Sequence, residues 1–136
     1  MTSIEVSTVI DAPIERVWDD VRDLASHVEW MADAEAIRFR SERRSGIGTT
    51  FECDTKVGPF RLVDRMEITE WVDGAVIGVR HVGLVTGTGR FTLTPHGLFG
   101  RRTRFTWEEE IGVPWVAGLV LRLIWWRNLR RLRRRF

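Results

Sequence analysis

Three ionisable residues, Asp64, His81 and Glu109, fall on strand faces that are otherwise apolar. Side chains alternate along a strand, so Leu62, Asp64, Met66 and Ile68 share one parity. Ile77, Val79 and His81 share a second, Phe91 and Leu93 a third, and Phe105, Trp107, Glu109 and Ile111 a fourth. Taking the Phe- and Leu-rich parity as inward turns all three ionisable groups toward the core. Asp73-Gly74 is a hairpin signal. Pairing Val72 with Ala75 across it sets Met66 opposite His81, with Asp64 diagonal and within reach. A carboxylate beside an imidazole in an apolar pocket is what general acid–base chemistry requires: the carboxylate orients and charges the ring, and burial moves both pKa values. Proton abstraction next to a carbonyl, as in an aldol cyclisation or a dehydration, would need little more. Purely structural roles fit the same residues. Asp64 could pair with an arginine at a rim, His81 could be a satisfied core histidine, and a one-residue bulge would reverse every parity in its strand. Glu108-Glu109-Glu110 places an acid on each face, so Glu109 alone carries little information.

Other chemistries lack their residues. His27, His81, His96 and Cys53 show no metal-ligand spacing, and neither HxxxH nor CxxC occurs. Neither Gly46 with Gly48 nor Gly87 with Gly89 forms GxGxxG at a strand-to-helix junction, so no phosphate loop is supported. No metal and no cofactor are therefore expected. Cys53 lies on an apolar strand face with Phe51, Thr55 and Val57, which suits a small core residue; a nucleophilic thiol needs a lowered pKa. As the one cysteine it can form no internal disulfide, which fits a reducing compartment. The opening MTSIEVSTVIDAP has neither a basic region nor a long apolar run, so no signal peptide is read and a cytoplasmic location is expected.

The elements that must position these residues follow from period and punctuation. A chain of 136 residues is long enough for one domain, 1–136, with a real core. Residues 3–10 alternate as a first strand. Asp11 offers an N-cap, Pro13 an early helical position, and Ile14, Val17, Trp18 and Val21 recur at helical spacing over about 13–23. A second short helix or turn is expected around Ser26–Met31, anchored by Trp30. Strands follow around Ile37–Phe39, through Phe51–Val57, through Leu62–Ile68, and over 75–82, 85–94 and 102–112. Seven strands, consecutive from the second onward, predict an antiparallel meander.

The chain ends on VPWVAGLVLRLIWWRNLRRLRRRF. Pro114 suits a first turn, and no glycine or proline follows Gly118, so one helix over 114–132, roughly 30 Å long, is predicted. From Trp115 to Trp126 the only charge is Arg122. A helix apolar all round is expected to be buried on more than one side. Leu121, Trp125, Leu129, Leu132 and Phe136 share one face. The fold class predicted is α+β, with a strongly curved antiparallel sheet wrapped around this helix.

Charge is segregated. The net +2 divides into −5 over residues 1–112 and +7 over 113–136, where seven arginines meet no acid. The 14-residue apolar run before Arg127 falls short of the roughly 20 that a membrane span needs. Arg127–Arg135, with Leu129, Leu132 and Phe136 as an apolar edge beside them, could rest on an anionic membrane surface. They could also bind nucleic acid non-specifically; no base-reading motif accompanies them, so no specific nucleic acid is expected. The structural alternative is pairing with Asp19, Asp20 and Asp23.

The opening IEVSTVIDAPIERVWDDVRDLASHVEW, with Ala12-Pro13, Val17-Trp18, Asp23 and Trp30, the hairpin Gly46-Ile47-Gly48-Thr49, the late strand TRFTWEEEI and the long last helix together resemble the START-like or SRPBCC superfamily. The likeness covers essentially the whole chain. It implies the helix-grip fold of the birch-pollen allergen and of polyketide cyclase/dehydrase-type proteins. It also implies a cavity between sheet and final helix that takes apolar or aromatic small molecules. Cavity residues vary within the superfamily, so no catalytic set carries over, and the all-arginine ending is a departure. Seven tryptophans and no tyrosine suit an aromatic-lined cavity or a bulky core. The expected function is binding of a small hydrophobic, aromatic or polycyclic ligand against Phe51, Met66, Val79, Phe91, Phe105, Trp107, Leu121 and Trp125. The alternatives are a cyclase or dehydrase using Asp64, His81 and Glu109, and a membrane- or partner-binding module working through the arginine-rich end.

Overall fold

The computed structural model describes residues 1–136. Strand β1 (Thr2–Ile10) leads into helix α1 (Ile14–Val21) and a 3₁₀ segment (Leu24–Glu29). Six strands follow: β2 (Ala34–Phe39), β3 (Thr50–Val57), β4 (Phe60–Val72), β5 (Val76–Val82), β6 (Thr86–His96) and β7 (Arg102–Ile111). Helix α2 (Trp115–Arg133) closes the chain. The sheet order is β1-β7-β6-β5-β4-β3-β2, all antiparallel. The meander is as its punctuation predicts. The first strand adds to its far edge against β7, from Thr2 opposite Ile111 to Ile10 opposite Thr103.

Two helix starts differ from expectation. Asp11 is exposed and caps nothing; Pro13 holds the cap position of α1. Pro114 likewise precedes α2, and Trp115 is its first residue. Both prolines adopt an extended ψ, near 160° and 150°, which places them outside the helical turn.

The β4–β5 hairpin reaches the expected register by another route. Val72 pairs with Val76, one residue later than Ala75, because the turn takes an extra residue around Gly74 at φ 76°. A bulge between Ile68 and Glu70 then removes the offset, and Met66 faces His81 as expected. Beyond the bulge the parity reverses, so Trp71 rather than Glu70 lies opposite the buried Ile77.

Helix α2 crosses the concave face as one piece. Trp125, Leu129 and Leu132 are buried, each worth roughly 1.5–3 kcal/mol of apolar burial. Gly118 lets the helix lie against β1: a Cβ there would stand 2.7 Å from Thr2 Cγ2. Asn128 ties its middle to the segment before β2. Its Oδ1 accepts from the Ala32 N–H at 2.9 Å, and its Nδ2 donates to Asp33 at 2.7 Å.

Two expectations about this helix are reversed. The apolar half is not buried on several sides: Trp115, Val116, Leu119, Val120, Leu123 and Trp126 are exposed. A curved sheet covers one side of a cylinder and leaves the other bare. Leu129 and Leu132 are core rather than an apolar edge beside the arginines, and Phe136 is half-buried with the Arg16 guanidinium over its ring. Leu121 is half-buried, not fully covered, because a cavity opens beneath it.

Trp30 anchors the other end of the core and is fully buried. Its ring lies 5.9–6.2 Å from those of Phe91, Phe105 and Trp107. Its indole N–H is buried with no hydrogen-bond acceptor.

Candidate functional site

Between the concave sheet face and α2 lies a cavity of about 200 Å³. Of the side chains expected to face a ligand, Phe51, Met66, Val79, Phe91, Trp107, Leu121 and Trp125 line it. Phe105 does not. It packs behind Phe91, 5.1 Å between ring centres, as part of the aromatic cluster around Trp30.

Asp64, His81 and Glu109 meet in this cavity. His81 is 6% exposed, and its Nδ1 lies 3.0 Å from both Asp64 oxygens. Its Nε2 lies 2.7 Å from Glu109 Oε1. The alternative of an arginine partner for Asp64 is not what the chain adopts. Arginines pair instead with acids of the outer sheet face, such as Arg65 with Glu52 and Arg80 with Glu67. Glu109 is the less obvious member, because β6 runs between β7 and β5. Its carboxylate crosses that strand over Gly89, which pairs with Glu109 on one side and Val79 on the other. A Cβ at Gly89 would meet Glu109 Oε1 at 2.6 Å and Cγ at 2.9 Å. A glycine inside a strand that allows such close approach was the available sequence signal.

The electrostatics follow from burial and pairing. Burial alone would lower the His81 pKa; hydrogen bonds to Asp64 and Glu109, and their charges, outweigh it and push it up to about 10. The ring is therefore an imidazolium at neutral pH, donating from both nitrogens. Burial pushes Glu109 above its ordinary range, against the pull of His81. Gly89→Ala is expected to displace the Glu109 carboxylate and bring the His81 pKa down measurably. Titrating the imidazole by NMR checks this, and an unmoved pKa would show that Glu109 reaches His81 without the gap.

Other lining groups were not singled out from the sequence as ligand-facing. His27 lines the cavity and is kept neutral by burial, its Nε2 donating to the Val21 carbonyl at 2.7 Å. Asp33 lines it while accepting from Asn128. Cys53 lines it as well, and burial pushes its thiol up to about 11, so at neutral pH it is a small protonated lining residue.

The family described as polyketide cyclase / dehydrase and lipid transport matches residues 1–136. The chain belongs to that family. Solved structures of similar fold include a START superfamily protein from Mycobacterium smegmatis, 12% identical with a TM-score of 0.80 over 98% of this chain and 95% of that one. A Thermus thermophilus protein is 18% identical, TM-score 0.76, covering 98% and 96%. One from Chromobacterium violaceum is 20% identical, TM-score 0.71, covering 97% and 95%. At these identities the likeness is one of fold, the helix-grip arrangement described above. No curated protein matches the sequence. Membership in the polyketide cyclase/dehydrase and lipid transport family thus accounts for a cavity under the final helix.

Proposed function

We propose that this family member binds a small ring-containing apolar molecule, with Glu109, backed by His81 and Asp64, meeting the ligand's one polar group. The observation that carries this reading is a mostly apolar, aromatic-lined cavity in which three ionisable side chains are linked into one buried polar cluster, separate from the lining Asp33 and His27. Size narrows the ligand. An apolar cavity of about 150 Å³ holds a benzene ring, so 200 Å³ suits one or two fused rings and not a larger polycycle. Chemistry narrows it further. Glu109 Oε1 is taken by His81 and the Trp107 indole also acts on the carboxylate, while the second oxygen keeps acceptor capacity toward the cavity. It suits a donor such as a phenolic hydroxyl.

The test is titration with 2-naphthol, read as quenching of tryptophan emission from Trp107 and Trp125. Val79→Trp is expected to fill the cavity and abolish binding. Glu109→Gln should weaken 2-naphthol about tenfold or more, the worth of a hydrogen bond to a charged group, and leave naphthalene unaffected. Binding indifferent to Val79→Trp would place the site elsewhere.

The raised pKa of Glu109 favours a second reading, a cyclase or dehydrase. A carboxyl poised above its usual range beside an imidazolium can give and take a proton. Both ring nitrogens of His81 are engaged, so Glu109 would exchange the proton and His81 would position it. On this reading Glu109→Gln lowers turnover about 10²-fold or more at unchanged affinity.

A further inference from the structure

The exposed side of α2 changes character along its length. At about 100° per residue, Trp115, Leu119, Leu123 and Trp126 run along one stripe, with Val116 and Val120 beside it. Their exposures include 71% for Trp115, 56% for Leu119, 67% for Leu123 and 46% for Trp126. The same stripe continues into Arg127, Arg130, Arg133 and Arg134. At the junction the Arg130 guanidinium lies 4.1 Å from the centre of the Trp126 ring. Of the last six arginines, only Arg135 has acidic partners, Asp20 at 2.6 Å and Glu29 at 3.7 Å, and Arg131 reaches the Glu29 carbonyl. Arg127, Arg133 and Arg134 make no ion pair. The sheet acids Glu5, Glu70, Glu108, Glu109 and Glu110 line a groove with Arg122 and Trp126, and none of the last six arginines lines it.

We propose that this face of α2 docks on the surface of an anionic lipid bilayer, its first three turns dipping into the interface and its last two resting on lipid phosphates. Charge selects the occupant. A second copy of the chain would set arginines against arginines in a parallel pairing; in an antiparallel one it would press four cations per chain onto apolar turns, with cation–π contact to two tryptophans as compensation and no acid on the helix to neutralise the charge. Nucleic acid would satisfy the arginines and leave the apolar turns in water. A bilayer interface takes both halves: apolar side chains enter about 5–10 Å, tryptophan sits at headgroup level, and long cationic side chains extend to the phosphates. The apolar end continues into the sheet rim. The Gly112 N–H donates to the Thr86 carbonyl at 3.0 Å, which sets the start of α2 beside the β5–β6 turn, where Leu84 is 88% exposed. Val85 and Val113, at this same rim, line the cavity, so the docked face adjoins the end of the cavity nearest His81. The docking does not depend on what the cavity holds.

The experiment is co-sedimentation of the full chain with phosphatidylcholine vesicles, with and without phosphatidylserine. Leu119→Glu/Leu123→Glu and Arg130→Glu/Arg134→Glu are run beside the native chain, with thermal melts to show that each folds. Binding is expected only to the phosphatidylserine vesicles, with a blue shift of tryptophan emission. The leucine pair should abolish it, and each arginine removed should weaken it at least about fivefold, with the loss shrinking as salt rises. No binding to either vesicle at low salt overturns the proposal. So does binding untouched by both variants, and so does a chain that ignores vesicles while the leucine pair converts a dimer to a monomer on gel filtration.

Discussion

His81→Ala is expected to destabilise the protein by about 3–5 kcal/mol, the cost of removing one partner from a buried ion pair. The residue lies among apolar side chains with a carboxylate on each ring nitrogen. Its removal leaves Asp64 and Glu109 buried together with no cation between them. The signature is in the pH dependence. Held up to about 10 in the folded chain against 6.5 unfolded, His81 contributes stability that is fully present below pH 6.5 and is lost as pH rises toward 10. Glu109, raised above 4.5, acts in the same direction: above that pH the folded chain retains a proton that the unfolded chain releases. Native stability should therefore fall with rising pH, by at most about 1.4 kcal/mol per unit for each proton linked. Urea unfolding across the neutral to alkaline range should show this slope, and His81→Gln, which keeps bulk and loses the charge, should flatten it. Identical slopes in the two chains would mean that the imidazole is not an imidazolium in the folded state.

Trp125→Ala is expected to cost a comparable 3–5 kcal/mol. The indole is 4% exposed and stacks on Trp107 with ring centres 4.7 Å apart and planes 17° from parallel. It joins the final helix to β7 and lines the cavity at the same time. The cavity should therefore enlarge as stability falls, and the variant should admit a three-ring probe such as anthracene that the native chain excludes. Trp126→Ala, one residue along and pointing outward, should stay within about 0.5 kcal/mol of the native chain. A loss below about 1 kcal/mol at Trp125 would contradict its place in the core.

The trio was legible because a strand has a period of two. Once Phe91, Leu93, Phe105 and Trp107 marked the inward parity, Asp64, His81 and Glu109 were bound to share it wherever no bulge intervened. The pairing of Met66 with His81 was reached from the sequence by a simpler route than the chain takes. The long turn and the bulge at Ile68/Glu70 cancel, and cross-strand packing, not local propensity, selects that combination. Glu109 could not be attached to His81 from strand patterns. Their link spans three strands and rests on the missing Cβ of Gly89.

By itself, then, the sequence determined the elements, their order, the inward faces of the strands and the segregation of charge, because each is a local matter of period, turn chemistry and composition. The tertiary structure decided which side of α2 is covered, and so turned a uniformly apolar helix half into one buried row and one exposed one. It decided that Phe105 packs behind the cavity while Leu121 stands over it. It also decided that Asp64 takes a histidine rather than an arginine. These outcomes depend on sheet curvature and on distances between strands far apart in sequence, and the volume left beneath α2 is the small difference between two large packed surfaces.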